Sequence, residues 1–217
     1  MTGATRRWLR SPRVPSGVSS LWAIRPDGSG LHEVVARGRG AACWSGDGRW
    51  VYYSSEQDGI ACIAKVPAEG GTPLVVRSHA AMTAVTPDDK TLYFVQRPGS
   101  DSLGFVGDLE ICSADVGGGP SSVMARVSSE RVPIGRHLFQ PFLSPDGKWL
   151  AAPLTDGATS NIWALPTSGG PMRALTDFGD RPLMIARSVS WSADSRSIYA
   201  AVAEVESDVV LLDGLIP

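Results

Sequence analysis

The sequence predicts an all-β molecule built from repeated four-stranded antiparallel units, and three observations carry that prediction. A nonapeptide turn signal occurs four times, a Gly-rich turn occurs four times out of phase with it, and strand and turn residues dominate the composition. There are 24 glycines and 16 prolines among 217 residues, while charged residues make up 19%. Gly and Pro together usually account for roughly 12% of a chain, so this balance suits many short strands joined by many turns.

The elements follow in chain order. Residues 1–19 are expected to be a basic, disordered lead: Arg6, Arg7, Arg10 and Arg13 occur before any acidic residue. A secretory signal would need an apolar stretch of roughly seven to fifteen residues after these charges, and none follows. A half unit is expected at 20–36, full units at 41–77, 81–127 and 140–176, and an incomplete unit of three strands at 187–213.

The first turn signal reads SGDGRWVYY at 45–53, TPDDKTLYF at 86–94, SPDGKWLAA at 144–152 and SADSRSIYA at 192–200. A hydroxyl residue comes first, an Asp third (Asp47, Asp88, Asp146, Asp194) and a base fifth (Arg49, Lys90, Lys148, Arg196). In Ser-Pro-Asp-Gly the proline presets φ at the second turn position and the glycine accepts the positive φ that ends the turn, so each copy joins two strands of a hairpin. The second signal is an apolar strand, a Gly-rich turn and a returning strand: LWAIRPDGSGLHEVV, CIAKVPAEGGTPLVV, ICSADVGGGPSSVMA and IWALPTSGGPMRALT. Two alternating hairpins make one four-stranded unit. Middle strands such as RWVYYSS and KWLAAPL are almost continuously apolar, as expected when both faces of a sheet are covered. A lone unit of this kind has no cover for its faces, so units must stack around an axis. That arrangement is the β-propeller.

SPDGK before an apolar strand, then Asp-Gly or Asn before IW, then a GG turn and a closing LT, resembles the WD-like Pro-Asp repeats of TolB-type propellers. SPDGKWLAAPLTDGATSNIWALPTSGGPMRALTDF, residues 144–178, is the fullest copy, and the resemblance covers residues 20–213. It departs from the pattern at Asp89 and Ser195, where Gly is usual, and at Gly46 and Ala193, where Pro is usual; these departures are expected to weaken single turns. The half unit at the start would close a four-bladed ring with the incomplete one at the end. Such families usually have six or more blades, so the resemblance implies the C-terminal part of a longer bacterial propeller. The ending SDVVLLDGLIP resembles propellers that follow a kinase or winged-helix domain.

Several function classes find no support. A formal net charge of −2 gives no general attraction to nucleic acid or an acidic membrane. No apolar run reaches the roughly eighteen residues of a membrane-spanning helix. Cys43, Cys62 and Cys112 lack the paired spacing of a zinc or redox motif and read as buried apolar thiols. HEVVA at 32–36 has Ala36 where a zinc-binding HExxH motif needs its second His, and it lies in an expected strand. There is no GxSxG elbow and no Walker loop, and the Gly38–Cys43 stretch ends in Cys where a dinucleotide fingerprint needs Gly. The four turn aspartates fall on different units, so each is expected to bond its own backbone and not a shared ion. No metal, cofactor or catalytic residue is expected.

Function is instead expected on one face of the ring. With strands A to D numbered outward, the A–B and C–D turns are tight and lie on one face. The B–C and D–A connections lie on the other, and the long ones are 97–107, 128–139 and 177–187. Binding surfaces of repeat proteins concentrate where insertions do. His79 and His137 each stand seven residues before the hydroxyl that opens a repeat. With Arg39, Arg136 and Arg187 they are candidates for a polar channel mouth that takes an anionic group or a peptide carboxylate. The expected role is a non-catalytic module that binds a protein, peptide or small ligand, as sensor or scaffold. The alternative is the gating propeller of a serine peptidase resembling prolyl oligopeptidase or dipeptidyl peptidase IV. Exposed blade edges would also permit self-association.

Overall fold

The structure, a computed structural model, describes residues 8–10, 19–38, 42–100, 107–132 and 141–204. Among them seventeen strands form five antiparallel sheets. The first contains β1 (Trp8–Arg10), β2 (Ser19–Ile24) and β3 (His32–Gly38). The second runs β4 (Ala42–Trp44), β5 (Trp50–Gln57), β6 (Ile60–Pro67) and β7 (Leu74–Ser78). The third contains β8 (Ala81–Val85), β9 (Thr91–Gln96), β10 (Leu109–Asp115) and β11 (Ser121–Val127). The fourth contains β12 (Phe142–Leu143), β13 (Trp149–Asp156), β14 (Thr159–Pro166) and β15 (Arg173–Ala174). The last pairs β16 (Leu183–Trp191) with β17 (Ile198–Glu204).

Each four-stranded sheet is a simple meander in chain order. The leading strands β4, β8, β12 and β16 lie beside one another from sheet to sheet, so they line the axis while the fourth strands form the rim. This is a β-propeller of about four blades; among the described residues three sheets have four strands, the first has three and the last has two. Within the basic lead, Trp8–Arg10 forms β1 and pairs with β2. Among the described residues the first and last sheets share no strand ladder. The third strand expected in the last unit falls at 205–213, outside the described residues.

Among the described residues four apolar cores alternate with the sheets. Leu21, Ala23 and Val35 of the first sheet meet Val51, Tyr53 and Val66 of the second. Tyr52 and Ile63 turn the other way, onto Leu92, Phe94 and Cys112 of the third sheet. Tyr93, Val95 and Ile111 then pack on Leu150, Leu154 and Leu165, and Ala151 and Ile162 on Ile185 and Val189. Successive residues of β5, β9 and β13 therefore serve successive cores, which is why their sequences show no polar alternation. Full burial stabilises each large apolar side chain by about 1.5–3 kcal/mol. Burial pushes the Cys43 thiol up to about 12 and Cys112 to about 11, so both remain protonated, apolar filler.

All four A–B turns use the same local chemistry. The leading hydroxyl donates to the Asp, at 2.7 Å for Ser45–Asp47 and 2.6 Å for Thr86–Asp88, Ser144–Asp146 and Ser192–Asp194. The backbone N–H of Arg49, Lys90, Lys148 or Arg196 donates to the same carboxylate oxygen. Each aspartate is thus engaged by its own turn.

The departures from the turn pattern do not simply weaken it. Asp89 takes the left-handed φ of +59° in place of Gly, and its carboxylate accepts from the N–H groups of Gly46 (2.6 Å) and Asp47 (3.0 Å) in the preceding blade. A Cβ at Gly46 would overlap the Pro87 carbonyl. Ser195, at φ +60°, accepts from the Asp146 N–H at 3.0 Å. Two of the motif's missing glycines are therefore side chains that stitch one blade's turn to the next.

Candidate functional site

An antiparallel meander sends alternate connections to opposite faces. The A–B and C–D turns share one face, and the B–C and D–A connections share the other. On the second face some connections are minimal, such as Asp58–Gly59 between β5 and β6, while 97–108, 128–141 and 175–182 are long. All three long connections stem from the third and fourth sheets.

One polar network roots them together. Asp108 accepts from the Ser129 N–H at 2.9 Å, tying the connection before β10 to the one after β11. Ser129–Arg131 form a single 3-10 turn. From it Arg131 reaches the end of β13, where its Nη2 lies 2.7 Å from Asp156 Oδ1, and its guanidinium stacks 4.2 Å from the centroid of Trp163. Asp156 Oδ2 also accepts from Trp163 Nε1 (2.8 Å) and Asn161 Nδ2 (3.3 Å). Asn161 Oδ1 in turn accepts from Thr176 Oγ1 and the Phe178 N–H, which pins the third long connection.

The electrostatics follow from these contacts. Partial burial pushes the Asp156 carboxyl up. The hydrogen bonds from Trp163, Arg131 and Asn161 and the Arg131 charge more than offset it, and the group titrates below the usual carboxylate range. A second row crosses the third sheet: Glu110, only 6% exposed, accepts from Gln96 at 2.9 Å and from Arg126 at 3.0 Å. The Gln96 hydrogen bond, with those of Arg126, keeps Glu110 ionised and lowered despite burial.

Of the five residues expected at the channel mouth, His79 is exposed in the short β7–β8 connection on this face, at φ +57° and next to the innermost strand. Arg39, Arg136 and His137 lie outside the described residues. Arg187 belongs to β16, with its side chain outside them. The residues that organise the face, Asp108, Arg131, Asp156, Asn161 and Trp163, escaped the sequence reading. The one available signal was the Asn before IW, which is Asn161. Among the described residues no three His, Cys, Asp or Glu side chains gather as a metal site requires.

No protein-family model matches the chain, and no curated protein matches it. Solved structures do. TolB from Acinetobacter baumannii shares 20% identity with a TM-score of 0.66 over 89% of this chain and 45% of that one. A putative TolB from Agrobacterium tumefaciens shares 20% identity with a TM-score of 0.55 over 90% and 76% of the two chains. A prolyl endopeptidase shares 18% with a TM-score of 0.53, over 86% of this chain and 32% of the peptidase. The chain thus spans about half the length of the Acinetobacter protein. At such identities the likeness is one of fold, and in fold the chain is a β-propeller of the kind found in TolB.

Proposed function

We propose that the chain is a non-catalytic binding module that holds a protein or peptide on its long-connection face, either alone or as the C-terminal part of a bacterial multidomain protein. The observation that carries this reading is the Asp108–Ser129, Arg131–Asp156, Asn161–Thr176 network, which gathers all three long connections on one face. Rigid roots beneath long connections lower the ordering cost of binding. His79, His137, Arg136, Arg39 and Arg187 are the candidate contacts for an anionic group on the partner. The likeness to a prolyl endopeptidase is one of fold and transfers no catalytic group, so it does not favour the gating role.

A phage-displayed peptide library panned on the immobilised chain, with fluorescence anisotropy on the enriched peptides, tests the reading. Peptides should bind the wild type and a Lys148→Ala control on the opposite face equally. Affinity should fall at least about tenfold, about 1.4 kcal/mol, for Arg136→Ala with His137→Ala and for deletion of residues 98–106. Unchanged affinity in both altered chains would overturn the site.

A further inference from the structure

His32 opens β3, and its ring stands between the first and second sheets. Nδ1 is 2.8 Å from the carbonyl oxygen of Gly30 in its own blade. Nε2 is 3.1 Å from the carbonyl oxygen of Ala68, in the turn that follows β6 in the next blade. Both carbonyls can only accept. A neutral imidazole carries one N–H, so in that state one of the two contacts sets a ring lone pair against a carbonyl lone pair. The imidazolium donates to both.

The surrounding charges also bear on the ring. Glu69 Oε2, from the same turn of the second sheet, is 3.8 Å from Nε2 and favours the cation. Arg25, on the turn after β2, shares a cavity of about 260 Å³ with Gly30, Leu31, His32 and Glu69, and opposes it. Asp27 in that turn is engaged by the Ser29 N–H and hydroxyl, which hold its carboxyl below the usual range, and Glu33 is the next residue along β3. Carboxylates in general titrate well below the histidine range, so these charges stay constant while an imidazole changes state. The His32 side chain is 29% exposed, and solvent protons reach it.

We propose that His32 is a proton-dependent latch between the first and second blades, engaged when its ring is cationic and slackened when it is neutral. The latch lies on the tight-turn face, away from the proposed binding face, so its failure would leave the binding reading intact. The direction follows from linkage. Two acceptors and a nearby carboxylate favour the charged ring in the folded chain, so its midpoint there lies above that in the unfolded chain, about 6.5. The latch's contribution is therefore complete below about 6.5 and is lost as pH rises through the folded midpoint.

Two measurements on the full chain test this. Long-range proton–nitrogen spectra of 15N-histidine-labelled protein should show both His32 ring nitrogens protonated at acid pH, with a midpoint above that of the chain unfolded in urea. Amide exchange at Leu21 and Ala23 of β2, corrected for intrinsic rates, should be about three- to tenfold faster at pH 8.5 than at pH 5.5, and His32→Gln should abolish that difference. His79 and His137 remain in the variant, so the contrast belongs to His32. A folded midpoint at or below the unfolded one, or the same pH dependence in His32→Gln, overturns the latch; where the variant does not fold, the midpoint alone decides.

Discussion

Asp89 shows how a residue that breaks a turn pattern can strengthen the molecule. Restoring the motif with Asp89→Gly relieves a left-handed φ, worth up to about 1 kcal/mol, but removes a carboxylate that binds two N–H groups of the preceding blade. Hydrogen bonds to a charged group contribute about 1.5–3 kcal/mol each when well formed, and solvent exposure here reduces that. The loss should win: urea unfolding should show Asp89→Gly less stable by about 1 kcal/mol. Gly46→Pro, the other restoration, should cost more, since proline both meets the Pro87 carbonyl and deletes an N–H that Asp89 uses. Equal or greater stability of either restored chain would show that the turns act independently. The turn's internal chemistry was legible in four copies of nine letters. Its partner 42 or 43 residues away was not, because nothing local in either turn announces the other.

Among connecting segments, the described roots of the long connections are tied to one another by side chains. Arg131→Ala removes an ion pair and a cation–π contact at once and leaves Asp156 with its two neutral donors. Both groups are about one-third exposed, so the expected cost is modest, about 1 kcal/mol. Asn161→Ala should cost more, about 1–3 kcal/mol, because Asn161 is 5% exposed and its loss strands the Phe178 N–H and the Thr176 hydroxyl. Hydrogen exchange should localise the effects: faster exchange at 128–132 for the first variant and at 176–178 for the second. Exchange unchanged in those segments would mean that other contacts hold 128–132 and 176–178. The lengths and common face of the connections could be read from the spacing of turn signals, whereas Arg131 and Asp156 carried no mark distinguishing them from solvated loop charges.

For the whole molecule, four cores in series among the described residues mean that each of the three inner sheets is stabilised mainly by its two neighbours. Leu154, fully buried in the core between the third and fourth sheets, should cost about 2–5 kcal/mol when truncated to Ala. Exchange protection should fall most in β9, β10, β13 and β14 and least in the distant β2. A uniform loss across all five sheets would instead show one indivisible cooperative unit. The last sheet leaves Tyr199 at 65% exposure on β17, whose one neighbour among the described residues is β16.

The all-β class, the four-stranded unit and the tight turns are legible along the chain, because hairpin chemistry and strand covering are encoded within a few consecutive residues. Which blades touch through which side chains emerges only when the sheets pack: Asp89 on Gly46, Arg131 on Asp156, His32 on Ala68. Those contacts join residues 25 to 43 positions apart across separate sheets. The angle and stagger between packed sheets set them, and these depend on the summed volumes of whole cores, which no short stretch of sequence contains.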